Sequence, residues 1–268
     1  MNLFAETYTR LKWCILLFLV TTTSAASLFA DVFVAGLNAI DRSHYASAYR
    51  SFKPLAEEGI SEAQNNLGFL YENGLGVKRN YSLAINWYER AANQGLPEAQ
   101  HNLGMLNYQG HGLSQSFSIA KRWFNKSAKQ DLWESHYMLG LMFFQGEGSQ
   151  KSPERASAHF STAGKNGDPN ALYMLAHMML SGDAETSYRK PSNRKSPFDF
   201  IGFDNQQSNQ LIASLSLSLL AAENGQASAN ALIEFLRSQL DKESVFAAET
   251  LSAKCLETEY KTCRIFLN

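Results

Sequence analysis

Few side chains in this sequence have both the type and the spacing to do chemistry. Six histidines, His44, His101, His111, His136, His159 and His177, are scattered, with no carboxylate at ligand spacing to complete a tetrahedral metal site. Glu58, Glu72 and Glu98 read as solvated helix residues rather than as a general acid and base. Ser187 with Lys190, and Ser192 with Lys195, match the SxxK pattern of serine acyl-transferring enzymes. Both pairs lie in a stretch interrupted by Pro191 and Pro197, and no SDN or KTG follows. No GxSxG, HExxH, P-loop or dinucleotide fingerprint occurs, so the expectation is a non-catalytic chain with no metal and no cofactor.

The cysteines carry a different chemistry. Cys14 falls inside WCILLFLV, Trp13 to Val20, which follows Arg10 and Lys12 and precedes the small, polar TTTSAASLFA. That order is a secretory signal, read as residues 1–30 with cleavage after Ala26 or Ala30. Eight apolar residues fall short of the roughly 20 that span a bilayer, while the softer extension to Val34 leaves an uncleaved anchor as the alternative. The expected place is therefore the periplasm or the exterior, or else the inner membrane with the chain facing the periplasm. Export makes a disulfide the default reading of Cys255 and Cys263. On one straight helix, half-cystines that far apart in sequence stand about 12 Å apart, so the chain must turn back around Thr258 to Lys261. The 268 residues are 45% hydrophobic and 18% charged with net charge -1, enough apolar material for a core and no excess of cations for nucleic acid.

The elements that hold these residues follow a constant step. Ala63, Ala99, Ser135 and Ala171 are 36 residues apart, and so are Leu67, Leu103, Leu139 and Leu175. Gly68, Gly104 and Gly140 keep the same step, with Ala176 in the fourth place. Gly74, Gly110, Gly146 and Gly182 follow, and Gly76, Gly112 and Gly148 complete GxG turns. Each unit reads as two helices. The first carries Ala63, Leu67 and Tyr71 as a stripe ended by glycine. The second opens at Asn80, Ser116 or Ser152, all good N-caps, with Pro153 in a first turn. Trp87 and Trp123 are expected to fill the space between units as core side chains.

The pattern AxxxLGxxYxxGxGV followed by AxxWxxxAAxxG resembles the Sel-1-like repeat, a relative of the tetratricopeptide repeat. The resemblance implies an all-α fold, a right-handed α-solenoid of stacked antiparallel helix pairs. It divides the chain into an N-terminal helix pair over 31–60, repeats over 61–95, 96–131, 132–167 and 168–225, and a C-terminal capping pair over 226–268 that the disulfide closes. The fourth repeat is longer by an insertion at about 183–204, which holds Arg189, Lys190, Arg194 and Lys195.

The resemblance also implies that the first helices line a concave groove. The groove residues are then Asn65, Phe69 and Glu72, His101, Met105 and Tyr108, Tyr137, Leu141 and Phe144, and Tyr173 with His177. Their aromatic and apolar character suits a protein or peptide partner. Phe69, Met105 and Leu141 could instead be packed between units. The functional expectation is a protein- or peptide-binding scaffold of the cell envelope. The alternative is an enzyme or ligand-binding protein of the cell wall, with penicillin binding or weak β-lactamase activity, as proposed for cysteine-rich Sel-1-like proteins. Membrane contact follows only if the N-terminal segment is uncleaved.

Overall fold

A computed structural model describes residues 29–183, 206–260, 263 and 265. The secretory signal therefore lies, but for its last two residues, outside the described residues. So does the insertion at about 183–204, apart from Asp183, and with it both SxxK pairs. The described residues form twelve helices and no strand. They are α1 over residues 29–41, α2 Tyr45–Glu57, α3 Ser61–Asn73, α4 Tyr81–Asn93, α5 Pro97–Gln109, α6 Phe117–Ala128, α7 Trp133–Gln145, α8 Pro153–Gly164, α9 Pro169–Ser181, α10 Gln206–Glu223, α11 Ala229–Gln239 and α12 Lys242–Glu257. None of them is long and apolar enough to cross a membrane. The chain forms two compact units. One runs to Leu106 and takes in His111–Ser114; the other holds Asn107–Gly110 and continues from Gln115.

The helix ends are where the sequence places them. Asn80 accepts from the Leu83 amide at 3.0 Å, and Ser116 and Ser152 accept from Ile119 and Arg155 at 3.4 Å, each satisfying one orphan donor of a first turn. Gly74, Gly146 and Gly182 close α3, α7 and α9 in the left-handed conformation, which costs a residue with a Cβ more than it costs glycine.

Within each unit, paired helices meet through a glycine and a ring. A Cβ on Gly36 would stand 2.5 Å from the Phe52 ring, one on Gly68 2.8 Å from Tyr88, and one on Gly140 2.6 Å from Phe160. Phe52, Tyr88, Phe124 and Phe160 keep the 36-residue step, and all four are fully buried. This corrects the expectation for the tryptophans in part: Trp87 does pack against the core that holds Phe52 and Leu67, but neither tryptophan is fully buried. Trp87 and Trp123 precede two of those rings by one residue, which turns them partly to solvent. Their faces hold cations: Arg90 lies 4.5 Å from the Trp87 centroid and Lys126 4.0 Å from Trp123. The second glycine of the turn is also a contact point. A Cβ on Gly76 would run into the Tyr45 backbone, one on Gly112 into Tyr81, and one on Gly148 would come within 2.7 Å of the Phe117 carbonyl. Each GxG turn thus rests on the start of the second helix of the preceding repeat.

The fourth repeat solves the same packing problem with smaller groups. Ala176 stands where the others have glycine, and Ser218 takes the place of the ring once the register is shifted by the 58 residues that carry Gly167 to Gly225. Ser214, Ser216 and Ser218 on α10 are fully buried. Their hydroxyls are spent on backbone: Ser214 donates to the Ala176 carbonyl at 2.7 Å, Ser216 to Ile212 and Ser218 to Ser214 at 2.8 Å. This lets α10 bury nearly its whole circumference.

At the C-terminus the chain does turn back. Glu259 and Tyr260 adopt positive φ just after α12, and Cys255 and Cys263 are joined with their Cα atoms 4.5 Å apart. Cys263 and Ile265 are buried in the core of the second unit. Tyr260, lifted by the turn, lies against Gly167 and accepts a hydrogen bond from Asn224.

Two outcomes follow. Gly140→Ala should gain about 1 kcal/mol of helix propensity yet lose roughly 1 to 3 kcal/mol from overpacking against Phe160, lowering the thermal midpoint. Cys263→Ser should cost about 2 to 3 kcal/mol in urea unfolding on the chain-entropy account of so short a loop.

Candidate functional site

In the first unit, α3 and α5 present Asn65, Phe69, Glu72, His101 and Met105. Phe69 is 38% exposed and the other four are half-buried, whereas Leu67 and Leu103 between them are buried. The polar members are already engaged. Asn102 donates to Asn65 Oδ1 at 2.9 Å, and the Tyr88 hydroxyl donates to Glu72 at 2.6 Å. Burial and the Glu72 carboxylate push the Tyr88 phenol far above its ordinary range, so Glu72 is an acceptor for the core ring more than a free surface charge. Burial alone lowers His101 to about 4.

In the second unit, Tyr108, Tyr137, Leu141, Phe144 and Tyr173 are half-buried and His177 is exposed. Four of them, Tyr137, Leu141, Phe144 and Tyr173, pack with one side on the core of that unit. The Tyr137 ring lies 5.8 Å from Phe160, Tyr108 meets Phe117 edge-on at 5.3 Å, and Lys151 covers Phe144 at 5.2 Å. Burial and a hydrogen bond with Glu147 raise Tyr108 to about 12. These residues therefore serve packing and surface at once, because a ring on a helix flank can rest on the core and still show one face to water.

A second cluster joins three helices. His136 on α7 and His159 on α8 face each other with their Nδ1 atoms 3.0 Å apart, and His136 Nε2 lies 3.0 Å from the Ala128 carbonyl at the end of α6. With both rings neutral, His136 donates from Nε2 to that carbonyl, and His159 donates from Nδ1 to the free lone pair of His136. His159 also stacks flat on Phe143 at 5.6 Å. Burial, then His136 and Arg155, lower His159 to about 4. The sequence hides this pair, since the partners are 23 residues apart and no motif marks them. The only signal was His159 in the place that tryptophan holds in two other repeats. Among the described residues no three His, Cys, Asp or Glu side chains are grouped to hold a metal ion.

The Sel1 repeat profile matches residues 61–96, 97–132, 133–168 and 169–190. The chain carries an array of Sel1 repeats. Sel1 repeats generally build protein-interaction scaffolds. The fold is shared with a Sel1 repeat protein from Oxalobacter formigenes at TM-score 0.63 and 24% identity, covering 84% of this chain and 82% of that one. It is shared also with c5321, a protective antigen present in uropathogenic Escherichia coli strains displaying an SLR fold, at TM-score 0.57 and 21% identity. That likeness covers 86% of this chain and 55% of the antigen's. Among curated proteins no sequence matches.

Two half-buried imidazoles of this Sel1 repeat protein set a pH dependence. His101 and His159 take up protons near pH 6.5 when unfolded but only near 4 when folded. The unfolded chain therefore binds more protons between those values, and stability must rise with pH across that window. The unfolding free energy from urea titrations should be level above pH 7 and fall as pH drops from 6.5 toward 4, by a few kcal/mol in all. His159→Phe should flatten part of that slope.

Proposed function

We propose that this Sel1 repeat protein is a non-catalytic scaffold that takes a protein or peptide partner on its first-helix faces. The observation that carries the reading is a contrast along those helices. Leu67, Leu103, Leu139 and Leu175 are buried, while the apolar and aromatic residues two before, two after or five after them stay partly open to solvent in both units. Partly open rings seated on a rigid core lose little freedom when a partner covers them, which is why aromatic residues dominate binding hot spots. In the first unit Phe69 and Met105 supply that surface; in the second Tyr108, Tyr137, Leu141, Phe144 and Tyr173 do, with His177 as a polar handle.

We place the scaffold in the cell envelope, periplasmic or secreted. The three blocks of the first 30 residues support export, and a buried disulfide suits an oxidising compartment. A cut after Ala26 spares every described residue of α1, whereas one after Ala30 removes its first two.

The test is capture from envelope extract with the full chain, identification of the bound species, and titration of that species against variants. Phe69→Ala and His177→Ala, at the two most open positions, should weaken binding with unchanged thermal midpoints. Leu139→Ala should lose roughly 2 to 5 kcal/mol of stability, as a buried leucine does. Tyr137→Ala should do some of each, because its ring rests on Phe160. If both exposed-site variants bind the captured partner as the unaltered chain does, the partner lies elsewhere and the reading fails.

A further inference from the structure

We infer that His136 and His159 form a two-nitrogen site for a divalent transition metal, copper(II) ahead of nickel(II) and zinc(II). Three observations carry this. The first is the gap: two Nδ1 atoms 3.0 Å apart, each bonded to a metal at about 2.0 Å, subtend an angle near 95°. That is the cis angle of a square-planar ion, and tetrahedral zinc needs a wider one. The second is the orientation of His136. Its Nε2 is held at 3.0 Å by the Ala128 carbonyl, the backbone contact that elsewhere fixes a ligating imidazole so that its other nitrogen offers a lone pair. The third is the setting of His159, which stacks flat on Phe143, so that its ring can pivot in its own plane and re-aim Nδ1 without losing that contact.

Loading the site needs no proton to leave the protein. The His159 proton moves from Nδ1 to Nε2, the two Nδ1 lone pairs turn to the metal, and the hydrogen bond between the rings is exchanged for two coordinate bonds. Lys121 and Arg155 lie over the neighbouring Phe143 ring, 5.5 and 5.3 Å from its centroid. Their charge lowers the affinity for a bare dication and favours water or a small anion, such as chloride, in the two remaining positions.

His159→Trp is the informative variant, because tryptophan stands at the equivalent place in two other repeats and should preserve the fold. The full chain is titrated with copper(II), followed by d–d absorption and by nitrogen hyperfine structure in electron paramagnetic resonance, beside His159→Trp and His136→Gln. The unaltered chain should bind one ion with two imidazole nitrogens. Each variant should lose that signal and bind copper at least about tenfold more weakly, with nickel and zinc weaker than copper throughout. A thermal scan shows which variants are folded; if His159→Trp is not, His136→Gln decides. Equal copper binding by the unaltered chain and a folded variant, or a spectrum without two imidazole nitrogens, overturns the assignment.

Discussion

The structure depends on how closely two helices of a pair can approach, and glycine sets that distance. At Gly36, Gly68 and Gly140 a ring from the second helix lies where a Cβ would be, so the aromatic residue packs on backbone rather than on side chain. A large ring against bare backbone buries apolar area with few rotatable bonds to freeze, and interiors packed this densely leave no slack for an added methyl group. The other repeated positions are consequences. Alanines such as Ala63, Ala84, Ala91 and Ala156 are fully buried because nothing larger fits between helices held this close.

The fourth repeat shows that the constraint concerns volume and not residue type. Where Ala176 fills the glycine's space, a serine stands in place of the ring, and buried hydroxyls satisfy themselves on helix carbonyls. A hydroxyl bonded back to a carbonyl one turn away is a small, nearly apolar surface, which is how α10 is buried on almost all sides without a costly unpaired polar group. The second glycine of each GxG turn performs the same service between consecutive repeats, admitting the backbone or ring of the preceding second helix.

Surface and core are not separate on the first helices. Tyr137 rests on Phe160 and shows its other side to solvent; Glu72 sits beside the proposed binding residues but accepts from a buried phenol. A scaffold built this way couples recognition to stability, since the residues that would meet a partner are also outer layers of the core. The His136–His159 pair adds a polar link among α6, α7 and α8 at a point where other repeats carry tryptophan.

Much of the fold was legible in the sequence, because a repeat states its packing solution several times. The 36-residue step of Ala, Leu and Gly, the caps at Asn80, Ser116 and Ser152, and the turn needed between Cys255 and Cys263 all follow from local rules: one face per helix, one donor per cap, one rise per residue. What the tertiary structure alone decided is which of two adjacent aromatics goes inside. Trp87 and Tyr88 differ by one position, about 100° around a helix, and only the approach of the partner helix makes Tyr88 the buried ring and Trp87 the one that carries a cation. The histidine pair was hidden for the same reason: its partners stand on different helices, and their meeting depends on how α7 and α8 pack, which no spacing along the chain records.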